Sequence, residues 1–337
     1  MSTIADVAAR AGVSKATASR ALSGRGYVSE DTRRKVADAA AELAYVAHSS
    51  AFSLATGRTH TVGVVMPSLE RWFFAELLAG IQESLLEQGY DLTLYSLDAG
   101  ANQRVRLFDG ILPRKRFDGI IAAGIQPGPR ELERMLRPDR PLVSVGPHAE
   151  GASSVSIDDF AAARIATEHL ITLGHTRVAF VGTAADAAAR SFVDGRRVEG
   201  YREAMASAGL GAGIRIVGAG SGGGTTPDGY AAAAELLGDR RARPTAIVGV
   251  CDEAAIGAII ASRRLGIAVP AELSVVGIDD HQHAEMFALT TIRQRPREQG
   301  AEAVRLLQRR IADADAPIEH VVAASALVVR NSTAPAR

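Results

Sequence analysis

Residues 3–22, TIADVAARAGVSKATASRAL, place long basic side chains close in sequence to several short hydroxyl side chains. Lys15 can donate to guanine O6 and N7 or to a phosphate, and Arg20 can bind guanine through two hydrogen bonds. Ala16 offers only a methyl surface, for example to thymine. Short hydroxyl side chains, which fix register on phosphate oxygens without reading sequence, lie beside them at Ser14, Thr17 and Ser19. The segment therefore predicts sequence-specific contact with DNA.

Two short helices are needed to present these side chains. Thr3 can cap the first helix, with Asp6 as the acidic half of a capping box. Gly12 suits the turn that follows, and Ser14 is a natural cap for a second helix over 15–22. This order predicts a helix-turn-helix, whose second helix enters the major groove.

Composition and charge distribution agree with a DNA-binding module on a larger body. The chain has 337 residues, a net charge of zero and 47% hydrophobic residues, enough for two or three domains. Residues 1–60 carry eight basic and five acidic side chains, so a basic head precedes a slightly acidic remainder. The single cysteine excludes an intrachain disulfide, and neither a membrane span nor a signal sequence is indicated, so we expect a cytoplasmic protein.

The predicted domains are an all-α headpiece over 1–46, with a third helix capped by Ser29, and a hinge helix with linker over 47–60. From Thr61 onward apolar strands alternate with helices, a pattern typical of parallel sheets covered on both faces. We predict an α/β core over 61–337 with two doubly wound lobes, in which 320–329 forms one closing strand. The first lobe takes in about 61–159 and 294–321, and the second about 160–293 and 322–331. A ligand cleft is expected between the lobes, at the carboxyl ends of the strands.

The whole order resembles the LacI/GalR family of bacterial transcription regulators, over nearly the full chain. The matching segments are TIADVAARAGVSKATASRAL, VSEDTRRKV, LATGRTHTVGVVMP, FFAELLAGI, EHLITLGHTRVAFVG, RVEGYREAM, VPAELSVVGIDD and LTTIRQ. The resemblance implies a helix-turn-helix headpiece, a hinge helix and a core shaped like a periplasmic binding protein. It also implies a homodimer on palindromic operator DNA, most often a repressor, controlled by a small-molecule effector.

By the same resemblance, Lys15 and Ala16 hold the positions that set operator specificity, and Leu54 is a wedge for the minor groove. The hinge departs from the family pattern, because His48 stands where Asn is common and Phe52 replaces a polar or basic residue. The implied DNA-contacting residues are Thr3, Ser14, Lys15, Ala16, Thr17, Ser19, Arg20, His48, Ala51 and Leu54.

The resemblance also implies a set of effector contacts. Phe73 and Phe74 provide stacking surfaces, and Asp279, at the end of a strand, can accept two sugar hydroxyls. The planar fork of Arg197 suits paired hydroxyls, a carboxylate or a phosphate. The full expected set is Ser68, Phe73, Phe74, Asp159, Arg197, Asp252, Asp279 and Gln294. Two departures from the family leave the effector class open, since Arg71 with Trp72 replaces a polar pair and Cys251 stands where Asn is common.

We expect a sugar effector, because carboxylate, arginine and aromatic side chains suit polyols. A purine or a phosphorylated metabolite acting as corepressor remains an alternative. No cofactor is expected, since neither a dinucleotide-binding nor a phosphate-loop motif is present. An enzyme or a periplasmic sugar-binding protein is a further alternative; His281 and His283 near Asp279 superficially resemble a metal or acid/base cluster.

Overall fold

A computed structural model describes residues 2–23, 27–45, 58–97, 104–114, 116–137, 140–183, 192–218 and 224–337. They fall into two compact units. The first ends at Thr61 and includes the Lys115–Asp118 segment, and the second contains the rest. The predicted hinge contacts His48, Ala51 and Leu54 lie outside the described residues.

Three helices form the headpiece: α1 (Ile4–Ala11), α2 (Lys15–Ser23) and α3 (Glu30–Glu42). The predicted capping box is confirmed, because the Asp6 backbone N–H donates to Thr3 Oγ1 and the Asp6 carboxylate accepts from the Thr3 backbone. Gly12 ends α1 at φ +68°, a conformation that favours glycine. One apolar residue from each helix, Val7, Ala18 and Val36, is fully buried in their shared core.

The first lobe contains a six-stranded sheet. Its strands are β1 (Thr61–Met66), β2 (Asp91–Ser96), β3 (Gly119–Ala123), β4 (Leu142–Val145), β5 (Ser153–Ser156) and β11 (His320–Val322). They lie in the order β11-β5-β4-β3-β1-β2, and the pairs β1–β3, β3–β4, β4–β5 and β5–β11 are parallel. Its helices are α4 (Trp72–Glu87), a π-helical turn (Arg106–Ile111), α5 (Pro129–Met135) and α10 (Pro296–Ala312).

The second lobe also contains a six-stranded sheet. Its strands are β6 (Val178–Val181), β7 (Arg215–Val217), β8 (Ala246–Gly249), β9 (Ser274–Asp279), β10 (Thr290–Arg293) and β12 (Ala326–Val328). They lie in the order β12-β10-β9-β8-β6-β7, and the neighbouring strands pair in parallel except for β10 with β12. Its helices are α6 (Asp159–Thr172), α7 (Phe192–Ser207), a 3₁₀ turn (Gly211–Gly213), α8 (Thr226–Gly238) and α9 (Asp252–Arg264).

The α/β class with two lobes is confirmed, but the predicted single strand over 320–329 is wrong. It divides into β11 in the first sheet and β12 in the second, with 323–325 carrying the chain between the lobes. The backbone N–H of Ala323 donates to Ser156 O, at the other segment where the chain leaves the first sheet. A continuous apolar run cannot reveal this break, because residues in both halves suit a strand.

Helix α4 packs closely against α10 through glycines. A Cβ atom added to Gly80 would lie 2.1 Å from the backbone oxygen of Arg297, and one added to Gly300 would lie 2.4 Å from that of Leu77. These glycines let the two helix backbones approach, which holds the amino-terminal end of α4 at the cleft. No helix within the described ranges is long and apolar enough to cross a membrane.

Candidate functional site

The outer face of α2 carries the side chains predicted to contact bases. Lys15, Ala16 and Arg20 are exposed, whereas Ala18 faces the headpiece core. Arg20 Nε donates to the backbone oxygen of Ala16 at 3.3 Å, which holds the guanidinium stem along the helix. The structure thus brings the two predicted polar base contacts onto one accessible surface.

The predicted phosphate contacts lie at the start of the same helix. Ser14 Oγ accepts from the backbone N–H of Thr17 at 3.1 Å, so this hydroxyl caps α2. Thr17 and Ser19 are half-buried. Thr3 is exposed, and its hydroxyl donates to the Asp6 carboxylate within the capping box. Ser14 and Thr3 therefore each have a structural role in forming the helices.

In the core, the carboxyl end of β9 carries Asp279 in a strained conformation. Its φ is +141°, which favours glycine, and its side chain is almost fully buried. Asp279 Oδ1 accepts from Gln294 Nε2 at 2.6 Å, and Gln299 Nε2 in turn donates to Gln294 Oε1 at 3.0 Å. Burial raises the pKa of Asp279 to about 6, against the opposing effect of Arg197. Strain retained at a buried carboxylate is typical of a ligand site.

Arg197 and Asp159 form a buried ion pair, with Nε 2.8 Å from Oδ1. Arg197 also donates from Nη1 to the backbone oxygen of Val250 at 2.6 Å. Burial opposes the charge of Arg197, but Asp159 and Asp279 outweigh it and raise its pKa above the usual value. Burial raises the pKa of Asp159, with Arg197 opposing the shift. Together, these contacts hold the Arg197 guanidinium between the first residue of α6 and the residue that follows β8.

Asp252, the first residue of α9, is directed into the second lobe. Its Oδ1 accepts from Thr291 Oγ1 at 2.6 Å and its Oδ2 from the backbone N–H of His281 at 2.8 Å. Burial and the nearby Asp279 raise the pKa of Asp252 to about 8. Because both oxygens accept hydrogen bonds from the protein, this side chain positions the segment after β9.

The aromatic and hydroxyl residues of the first lobe lie near the same end of its sheet. Phe73 and Phe74 contact edge to face at a centroid distance of 5.3 Å, and both pack against the core. A Cβ atom added to Gly124, just beyond β3, would meet the Phe74 ring at 2.4 Å. Ser68 Oγ accepts from the backbone N–H of Glu70 at 3.2 Å, so it caps the turn before α4.

Sequence reasoning did not predict the contacts that join the two lobes. Arg71 Nε lies 2.7 Å from Glu253 Oε2, and its Nη2 donates to Cys251 Sγ at 3.4 Å. The Trp72 ring packs against His281 with centroids 4.9 Å apart. The available sequence signal was that Arg71, Trp72 and Cys251 all depart from the family pattern. No spacing rule pairs residues so far apart in sequence.

The two histidines after β9, His281 and His283, contact each other with ring centroids 4.8 Å apart. His281 Nδ1 accepts from the backbone N–H of His283, and burial lowers the pKa of His281 to about 4. Among the residues that the structure describes, no three His, Cys, Asp or Glu side chains are grouped to hold a metal ion.

Comparison with known proteins agrees with this architecture. Residues 3–48 match the model of bacterial regulatory proteins of the lacI family, and residues 167–333 match a periplasmic binding protein-like domain. The transcriptional regulator DegA of Bacillus subtilis is 34% identical, over 99% of this chain and 98% of DegA. The transcriptional repressor PurR of Vibrio campbellii is 33% identical, over 98% of each chain.

A solved structure of the transcriptional regulator CelR in complex with cellobiose has the same fold. It is 30% identical, with a TM-score of 0.70, and the match covers 98% of this chain and all of CelR. The headpiece, the two-lobed core and the relatives that match nearly the full chain all support the same family assignment. The chain belongs to the LacI family of bacterial DNA-binding transcription regulators.

Proposed function

We propose that this chain is a cytoplasmic transcriptional repressor that binds a palindromic operator as a homodimer and responds to an uncharged sugar in its cleft. The observation that carries the proposal is the cluster at the carboxyl end of the second-lobe sheet. There the buried Asp279 accepts a hydrogen bond from Gln294 and interacts electrostatically with the buried Arg197, in a chain that also presents Lys15 and Arg20 on a helix-turn-helix. The relative PurR is named a repressor, which supports that direction of control.

Dimerisation follows from the small reading surface of one headpiece. Helix α2 is nine residues long, and few of its exposed side chains can reach bases. Two headpieces on half-sites about one helical turn apart multiply the specificity that one can supply. We expect α4, in the first lobe, to contribute to the dimer interface.

The charge balance of the cleft favours a neutral effector over a phosphorylated one. Arg197 is paired with Asp159, and Arg71 is paired with Glu253. Asp279 adds a further carboxylate, whose Oδ2 has no hydrogen bond within the described part of the chain. An anionic ligand would have to compete with carboxylates for both guanidinium groups, whereas sugar hydroxyls can donate to Asp279. The cellobiose complex of CelR supports the same class.

The expected effector contacts have different roles, depending on which of their polar atoms already have partners within the protein. Asp279 and Arg197 are the proposed direct contacts from the second lobe, and Phe73 is the proposed apolar contact from the first lobe. Asp252 acts as a positioning residue because both of its carboxylate oxygens accept hydrogen bonds within the protein. Asp159 acts as a positioning residue because its carboxylate pairs with Arg197 and holds that guanidinium in place. A purine fits the charge balance as well as a sugar does, and ligand binding assays with both classes separate them.

Selection of bound duplexes from a random DNA pool tests the operator proposal. We expect the full-length chain to enrich an inverted repeat whose half-sites are related by a two-fold axis. Enrichment of a single half-site would contradict the dimer, and a pool without any preferred sequence would contradict the proposed function.

A further inference from the structure

Two buried polar atoms near the cleft have no hydrogen-bond partner among the residues that the structure describes. They are Trp72 Nε1 and Thr183 Oγ1, one from each lobe. Leaving a buried donor or acceptor unsatisfied destabilises the folded chain, so such groups call for a physical explanation.

Trp72 lies where the first lobe meets the second. It is the first residue of α4, and its ring packs against His281 just beyond β9. The preceding residue, Arg71, bridges to Glu253 and Cys251 at the start of α9. The indole N–H is therefore buried beside the segments that follow β8 and β9.

Thr183 lies at the same edge of the second-lobe sheet as Arg197 and Asp279. It follows β6 by two residues, and only 1% of its surface is exposed. The adjacent Gly182 packs against Val250, because an added Cβ atom would lie 2.6 Å from Val250 Cγ1. Val250 in turn accepts the hydrogen bond from Arg197.

We infer that Trp72 and Thr183 are effector contacts that determine ligand specificity, one supplied by each lobe. This inference rests on the proposed function of the cleft. An indole N–H only donates, so the ligand must offer an acceptor to the first lobe. The threonine hydroxyl both donates and accepts. A polyhydroxyl ligand satisfies both groups at once, and a ligand held by both lobes favours their closed arrangement.

Trp72 is the only tryptophan in the chain, so its fluorescence reports on the cleft without labelling. The probes are cellobiose and a panel of neutral mono- and disaccharides, from which compounds that raise the thermal midpoint of the full-length chain are taken. Each is titrated by fluorescence into the wild-type chain, and by calorimetry into Trp72→Phe and Thr183→Val. Thr167→Val is the matched control, because Thr167 is also fully buried in the second lobe but its hydroxyl donates to Ala163 O at 2.7 Å.

We expect each cleft variant to bind about 3- to 10-fold more weakly, the loss of one hydrogen bond, while Thr167→Val keeps wild-type affinity. Binding should also shift the emission of Trp72. Without ligand, Thr183→Val should unfold at the same temperature as the wild-type chain or higher, because it removes an unsatisfied hydroxyl. If the Thr183 hydroxyl instead stabilised the fold, its removal would lower the unfolding temperature of the ligand-free chain.

Wild-type affinity in both cleft variants would overturn the inference, as would a lowered midpoint for ligand-free Thr183→Val. Either result would leave the proposed operator binding intact, since DNA selection measures it separately.

Discussion

At the residue scale, neighbouring side chains of similar chemistry have different roles. Asp279 and Asp280 are adjacent in sequence. Asp279 is buried at the cleft, and its Oδ2 accepts no hydrogen bond from any described residue. Asp280 is paired with Arg293 at 2.6 Å and with Arg330 at 2.7 Å. These pairs lower the pKa of Asp280 despite the burial that opposes them, whereas burial raises the pKa of Asp279. The sequence DD alone does not distinguish these roles.

Asp279→Asn should therefore weaken effector binding, because it removes the charge that favours donation from ligand hydroxyls. We expect a loss of about 1.5–3 kcal/mol in binding free energy, measured by calorimetry with a ligand that binds the wild-type chain. Operator affinity without ligand should remain near that of the wild-type chain. Asp280→Asn is the control and should retain ligand affinity; equal loss in both variants would remove the special role of Asp279.

Lys15→Ala should relax the choice of base at one position in each half-site, because a bidentate contact is worth about 1–3 kcal/mol of discrimination. The ratio of affinities for the selected operator and for single-base variants gives the measurement. Lys35→Ala removes one positive charge from α3, where Lys35 pairs with Asp31. That control should leave the ratio unchanged. Uniform weakening across all sequences by Lys15→Ala would mean that Lys15 contacts only phosphate.

At the element scale, periodicity predicted most helices and strands but not where the chain crosses between lobes. The apolar stripe over 160–173 and the following Gly174 predict a helix there, and the structure has α6, Asp159–Thr172, capped by Asp158. Strand β5 was not predicted, since SSVS lacks the apolar run of a buried strand, although three of its four residues are buried. Lobe crossing depends on hydrogen bonds such as Ala323 N–H to Ser156 O, which join residues distant in sequence.

The candidate site was predictable only in part for the same reason. Motif order suggested Arg197, Asp279 and Gln294, which the structure places in one connected region. It did not suggest that the buried Thr183 hydroxyl has no hydrogen-bond partner within the described ranges, nor that Trp72 packs on His281. Such facts depend on how two lobes pack, which residue types and spacing do not specify.

Gly80→Ala tests the close packing of α4 on α10. The added methyl group would overlap the backbone oxygen of Arg297, and we expect a destabilisation of about 1–3 kcal/mol from this overpacking. Denaturant unfolding monitored through Trp72 provides the free energy of unfolding. Gly110→Ala is the control, because an added Cβ atom there meets nothing within 4 Å. A Gly80→Ala chain as stable as Gly110→Ala would show that the helices separate at little cost.

At the scale of the whole molecule, Asp252 links folding stability to pH. Its pKa is raised to about 8 by burial first and by Asp279 second, so the folded chain holds a proton that the unfolded chain loses near pH 4. Stability from this group is therefore fully present below about pH 4 and is lost as the pH rises through 8. His281, whose pKa burial lowers to about 4, acts in the opposite direction between about pH 4 and 6.5.

Asp252→Asn isolates the carboxyl effect, because an asparagine amide can keep an acceptor toward His281 N–H and donate to the Thr291 hydroxyl. We expect the free energy of unfolding of the wild-type chain, relative to this variant, to fall between about pH 4 and pH 8. Urea unfolding at several pH values gives this difference directly. A difference that does not change with pH would show that Asp252 has an ordinary pKa in the folded chain.

Control of DNA binding requires the effector to prefer one arrangement of the molecule, because a ligand that binds two states equally shifts neither. Coupling between such sites is commonly about 1–3 kcal/mol, and it acts equally in both directions. The central claim is that occupancy of the cleft changes the affinity of the headpieces for the operator.

The most direct test is the dissociation constant of the full-length chain for its selected operator, measured with and without a saturating cleft ligand at fixed salt. The account predicts a change of about 5- to 150-fold, with an equal change in ligand affinity when operator is present. An operator affinity that is identical with and without bound ligand would contradict it.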